Sequence, residues 1–138
     1  MNKLNYILLV DDNPADNYYN QFIINDAGVC NHIQIAINGV EALAYLRRAG
    51  EAGQIESSPK PDIIFLDINM PKMNGFEFLV EYKKLDERLK SKVLIVMLTT
   101  SLNPEDQQKA KTFNEVNEYK QKPLTYEMLQ EIIEKYFK

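Results

Sequence analysis

The chain has 138 residues, 45% of them hydrophobic, which is enough for one domain with a real core. A net charge of −4 argues against a nucleic-acid surface, and no local basic patch is read beyond Lys109/Lys111 and Lys120/Lys122. One cysteine, Cys30, and one histidine, His32, leave no disulfide framework, no thiolate metal site and no multi-histidine centre.

The apolar run at 6–10 predicts a first buried strand, closed by Asp11 and Asp12. It is too short for a signal-peptide core, and no stretch approaches a membrane span, so a cytoplasmic protein is expected. Asn13-Pro14 reads as an N-cap followed by proline at the first helical position. Ala15, Tyr18, Tyr19, Phe22 and Ile23 recur at helical spacing, and Gly28 is the expected stop. Ile33, Ile35 and Ile37 alternate with polar or small residues, as in a strand. Asn38-Gly39 turns into a short helix carrying Val40, Leu43, Tyr45 and Leu46. Residues 49–61, with glycine, proline and serine, predict a surface loop.

Ile63–Leu66 is a continuous apolar run, suited to a strand buried on both faces of a parallel sheet. It ends on Asp67, and Met70-Pro71 follows, where proline has no N–H to extend a ladder. From Gly75, the residues Phe76, Leu79, Val80 and Leu85 mark a helix. A fourth apolar strand at 93–98 ends in Thr99-Thr100-Ser101, and Asn103-Pro104 repeats the cap-plus-proline start. Val116–Gln121 is a polar, weak strand fit for a sheet edge, ended by Lys122-Pro123. Thr125 caps a last helix with Leu129, Ile132, Ile133 and Tyr136 on one side. Five strands alternating with five helices predict a doubly wound α/β fold: a parallel sheet with helices on both faces.

Parallel strands bring Asp11, Asp12, Asp67, Thr99, Thr100 and Lys122 to one edge of the sheet, where such folds place their ligands. Asp67 there is a nucleophile, a metal ligand or a cap for the next turn. Three crowded carboxylates call for a cation, and a hard oxygen set suits Mg²⁺ rather than zinc. A hydroxyl and an ammonium opposite would hold phosphoryl oxygens, with a carboxylate as acceptor. Taken singly, each of these has a plainer reading: the first two acids as helix caps, Thr99 as a strand-end hydroxyl, Lys122 as a solvated lysine. His32 lies at the opposite, amino end of the sheet, so it is not expected to act as a phosphodonor.

With these residues in place, the chain resembles the receiver domain of two-component response regulators, the fold of the bacterial chemotaxis regulator. The likeness runs over 6–136 and rests on Asp11-Asp12, Asp67 with Met70-Pro71 and Gly75, Thr99, and Lys122-Pro123. It implies a flavodoxin-like sheet in the order 2-1-3-4-5. It implies that Asp67 accepts a phosphoryl group from a phosphohistidine on a sensor histidine kinase or phosphotransfer protein. It further implies that Asp12 and Asp67 bind Mg²⁺ directly, Asp11 mainly through water, and Asn69 through its backbone carbonyl. Thr99 and Lys122 would then bind phosphoryl oxygens, Tyr119 would be the switch aromatic coupled to Thr99, and Lys122–Pro123 would be cis. Tyr45-Leu-Arg-Arg48, the long loop after it, and Leu98-Thr-Thr-Ser101 resemble the stand-alone receivers that pair with phytochrome-type kinases. The turn 114–117 and the polar stretch 118–121 depart from the common receiver pattern.

The expected protein is therefore a single receiver domain over 1–138 with no output domain, a signalling switch rather than an enzyme. An aspartate-nucleophile phosphatase would want Asp-x-Asp after the first strand, and a flavin carrier a Ser/Thr/Gly phosphate cradle there. Neither nucleic acid nor membrane is an expected partner. A homodimer through the fourth helix, fifth strand and fifth helix is expected, with Tyr126, Met128 and Phe137 left outside the core. Its charges, Lys120, Lys122 and Lys135 against Glu115, Glu118 and Glu127, would pair across a two-fold axis.

Overall fold

The computed structural model describes residues 3–49, 60–90 and 92–137. In chain order these form β1 (Leu4–Val10), α1 (Pro14–Ala27), β2 (Cys30–Ala36), α2 (Gly39–Ala49), β3 (Ile63–Leu66) and α3 (Gly75–Lys83). There follow α4 (Glu87–Lys90), β4 (Leu94–Thr99), α5 (Pro104–Lys111), β5 (Val116–Gln121) and α6 (Tyr126–Phe137). The five strands make one parallel sheet in the order β2-β1-β3-β4-β5. The expected architecture is therefore the observed one.

Burial follows the apolar pattern. All of β3 and β4 is buried, as continuous apolar runs in the middle of a parallel sheet require. β2 and β5 are the edges, and β5 is only half-buried. Alternate strand residues feed two cores. Leu8, Val10, Ile64, Leu66, Ile95 and Met97 pack with α2 and α3. Ile7, Leu9, Ile63, Phe65, Val96 and Leu98 lie in the other core, with Ile23 and Ile24 of α1 and Leu129, Ile132 and Ile133 of α6.

The helix starts are built as the sequence predicts. The Asn13 side chain accepts from the backbone N–H of Ala15 and Asp16, at 2.9 and 3.2 Å. Asn103 does the same for Glu105 at 3.0 Å, and Thr125 Oγ1 accepts from Met128 N at 3.1 Å. Gly28 closes α1 with φ 67°, a conformation that glycine adopts without strain.

Four expectations need correction. The described residues hold six helices, not five. The extra one, α4, is a single turn nucleated by Asp86, whose carboxylate accepts from Arg88 N at 2.9 Å. The inward face of α1 is not the tyrosine face: Tyr18, Tyr19 and Phe22 are exposed, while Asn17, Asn20, Ile23 and Ile24 are buried. Val40 and Val80 likewise point outward, and Ala42, Phe78 and Tyr82 take the inner positions. Met128 and Phe137 are not left outside, because both pack against the core shared by α1 and α6. Of the loop expected at 49–61, residues 50–59 lie outside the described residues.

Candidate functional site

Backbone ladders continue past the strand ends and set the site residues side by side. Asp11 N donates to Ala36 O at 3.0 Å, and Asp67 N donates to Val10 O at 3.0 Å. Lys122 N donates to Thr99 O at 2.9 Å. Four separate segments thus deliver Asp11, Asp67, Thr99 and Lys122 to one level of the same edge. The Lys122–Pro123 peptide is cis, as the resemblance implies.

Asp11, Asp12 and Asp67 each offer a carboxylate oxygen, and the three lie within 4.8 Å of one another. Asp11 and Asp67 are buried and Asp12 is exposed. The Asp11 carboxylate is held at both oxygens: Oδ1 accepts from Asn13 N at 2.9 Å and Oδ2 from Lys122 Nζ at 2.6 Å. Its backbone carbonyl accepts from the buried Asn17 amide at 2.8 Å. Asp67 Oδ1 accepts from Ile68 N at 2.9 Å, and its Oδ2 stands 3.5 Å from Lys122 Nζ. The Asp12 carboxylate makes no hydrogen bond or ion pair among the described residues. Asn69, two residues beyond Asp67, is exposed, and no backbone group bonds its carbonyl among the described residues.

Electrostatics match this crowding. Burial pushes the Asp67 carboxyl above the usual carboxylate range; Lys122 opposes the shift, Asp11 adds to it, and the Ile68 N–H and Thr99 hydroxyl moderate it. Burial alone would lower the Lys122 ammonium, but its bonds to Asp11 and Asp16 outweigh that and raise it. Such a set of hard oxygens, short of positive charge, fits a divalent cation among Asp11, Asp12 and Asp67.

Thr99 is buried at the end of β4 and shares a sheet face with Met97, whose register partner on β5 is Tyr119. The Tyr119 ring packs on the α2–α3 core. Its buried hydroxyl lies beside Ser101 and makes no hydrogen bond among the described residues, while the Ser101 hydroxyl donates to Asp106 at 2.6 Å. Thr100 is exposed and outside this group. His32 stacks on Tyr6 at 4.8 Å at the amino end of the sheet, away from the acids.

Two functional neighbours escape a reading of the sequence. Asp16 accepts from Lys122 Nζ at 2.7 Å, and Asn17 anchors the Asp11 carbonyl. Their only local signal is the first turn of α1, where an acid reads as favourable to the helix dipole and nothing more.

Gly75 locks the loop behind Asp67. Its N–H donates to Ile68 O at 2.8 Å, and an added Cβ would stand 2.3 Å from the Asp67 carbonyl oxygen and 3.1 Å from Ile68 Cα. Both obstacles are backbone, so they cannot step aside. Gly75→Ala is expected to cost about 1–3 kcal/mol in urea denaturation and to weaken divalent-cation binding by displacing Asp67.

The family model for the response regulator receiver domain matches residues 7–134. The chain belongs to the response regulator receiver family. Response regulator Rcp1 of Synechocystis sp. is 38% identical over 100 residues, covering 72% of this chain and 65% of that protein. A crystal structure of the Mn²⁺-bound form of Rcp1 aligns with a TM-score of 0.72 at 33% identity, covering 93% of this chain and 91% of that one. The phosphorylated cyanobacterial phytochrome response regulator RcpA aligns at 0.77 and 34% identity, over 99% of this chain and 94% of its own. A two-component response regulator from Cytophaga hutchinsonii aligns at 0.83 and 32% identity, over 97% of both chains. Receiver domains work with histidine kinases or phosphotransfer partners in two-component phosphorelays. Among the described residues of this receiver, no helix is long and apolar enough to cross a membrane.

Proposed function

We propose that this receiver is a phosphoacceptor switch. Asp67 takes a phosphoryl group from a phosphohistidine of a sensor kinase or phosphotransfer protein. The observation that carries this reading is the buried Asp67 carboxylate with Lys122 at 3.5 Å and two further acids beside it. An Asp67 oxygen attacks phosphorus, the O–P bond forms as the P–N bond to imidazole breaks, and the imidazole takes up a proton. Burial and the Asp11 charge keep the Asp67 carboxylate basic, which favours attack. Lys122 and the Thr99 hydroxyl meet the phosphoryl oxygens. Bound Mg²⁺, held by Asp11, Asp12, Asp67 and the Asn69 carbonyl, would offset the charge that gathers on the transferred group. The domain is a switch that is reset by hydrolysis, not an enzyme acting on an outside substrate.

The likeness to RcpA supports a phytochrome-type kinase as the donor. The output runs through Thr99 and Tyr119. A hydroxyl drawn toward the new charge leaves room behind it, and Tyr119, with its hydroxyl unbonded, is free to turn in. The responding face is α5, β5 and α6. Of the charges first expected to pair across a two-fold axis, Glu118 binds Lys135 at 2.8 Å and Lys120 at 3.7 Å within the chain, and Lys122 binds Asp11 at 2.6 Å, which leaves Glu115 and Glu127 for a partner copy. Leu102, next to the start of α5, and Tyr126, at the start of α6, are exposed apolar residues on this face.

The test combines a small phosphoryl donor, a Mg²⁺ titration and intact-mass detection. Uptake should require the metal. Asp12→Ala, which removes the exposed and unpartnered carboxylate, should weaken Mg²⁺ affinity by about ten-fold or more. Uptake that is undiminished in chelator, or an unchanged Mg²⁺ affinity in Asp12→Ala, counts against the assignment.

A further inference from the structure

Lys122 carries three N–H groups, and the structure shows where they go. Asp11 takes one at 2.6 Å and Asp16 takes another at 2.7 Å, while Asp67 stands farther off at 3.5 Å. The Lys122 side chain is 9% exposed and that of Asp16 36%. The bond therefore reaches from the buried acids to the rim of the site. A place in the first turn of α1 explains an acid at position 16 through the helix dipole. It does not explain a short, charge-assisted bond to a lysine 106 positions away in the chain. Nor does Asp16 belong to the converging oxygens of Asp11, Asp12 and Asp67, so it is not one of the cation's ligands.

We propose that Asp16 is a positioning residue that holds the Lys122 ammonium away from Asp67 until a phosphoryl group arrives. The inference rests on the phosphoacceptor reading above. Asp11 is shared between Lys122 and the acidic cluster, so a divalent cation there competes for it. Asp16 is then the anion that keeps the ammonium at the rim. When Asp67 gains phosphoryl oxygens, Lys122 must give up Asp16 to reach them. Asp16 thus sets the cost of that move, and through it the affinity of the site for a phosphoryl group.

Beryllofluoride, a non-covalent mimic of the phosphoryl group, reads this cost without turnover. It is titrated by NMR at saturating Mg²⁺ into wild type, Asp16→Asn and Asp16→Glu, with Asp16→Asn repeated in a Lys122→Ala background. A half-exposed ion pair is modest in strength, so Asp16→Asn should tighten the mimic by about five-fold. Asp16→Glu, which keeps the charge, should stay near wild type. In the Lys122→Ala background the effect of Asp16→Asn should vanish, because the residue acts through the lysine. Unchanged or weaker binding in Asp16→Asn overturns the inference. The same tightening without Lys122 also overturns it, since that would be a plain through-space charge effect. Failure of the wild type to bind the mimic would instead strike at the phosphoacceptor reading itself.

Discussion

Asp67→Asn is expected to abolish phosphoryl uptake and to leave the metal-free domain more stable than wild type. The first effect follows from the loss of the attacking oxygen: an amide in the same place is no nucleophile, so the mass increase with a small donor should fall to background. The second follows from burial. The Asp67 carboxyl is nearly inaccessible, is held above its usual range by desolvation, and stands beside Asp11 and Asp12. A carboxyl whose folded value is raised ionises more readily in the unfolded chain. Wild-type stability should therefore fall as pH rises from the ordinary carboxylate range to the raised folded value, and stay lower above it. Asparagine can still accept from Ile68 N and carries no charge, so the variant should lack this slope. A gain on the order of 1 kcal/mol at neutral pH is expected in urea denaturation with chelator present. Persistent labelling of the variant, or a loss of stability, would contradict the assignment.

Lys122→Ala should produce the largest loss of stability in the site. Its ammonium is the shared counter-charge of Asp11, Asp16 and Asp67, and its side chain is 9% exposed against 6% for Asp11. Removing one partner of a buried ion pair leaves the other uncompensated, which costs about 3 kcal/mol. Divalent cation should restore more stability to this variant than to wild type, because only there are the carboxylates without a counter-charge. Phosphoryl uptake should slow as well, since a donor to the phosphoryl oxygens is lost. Metal-titrated thermal unfolding of both proteins gives the comparison. Equal stability in chelator would show that the lysine is solvated in solution and that the ion pairs carry no weight.

The central strands could be read from residues alone. Ile63–Leu66 and the run at 93–98 are apolar without interruption, and only a sheet covered on both faces buries every residue of such a run. Asn13-Pro14, Asn103-Pro104 and Gly28 marked helix ends because each acts through its own backbone, within a few residues. Order along the chain then fixed which carboxylates, hydroxyl and ammonium share an edge. Asp11, Asp12, Asp67, Thr99 and Lys122 were legible for that reason.

Packing decided the rest. Spacing tells which residues of α1 share a face, but not which face turns inward. Tyr18, Tyr19 and Phe22 looked like a core stripe. The helix instead buries Asn17, Asn20, Ile23 and Ile24, and Asn17 bonds the Asp11 carbonyl from that side. Phe137 and Met128 were read as surface and are partly covered by the core between α1 and α6. Asp16 shows the limit most clearly. In sequence it is one acid in a helical first turn; in the fold it takes a short bond from Lys122, 106 positions away. Local chemistry acts within a turn and is written in neighbouring residues, whereas a bond across the sheet edge exists only once five strands have set their register.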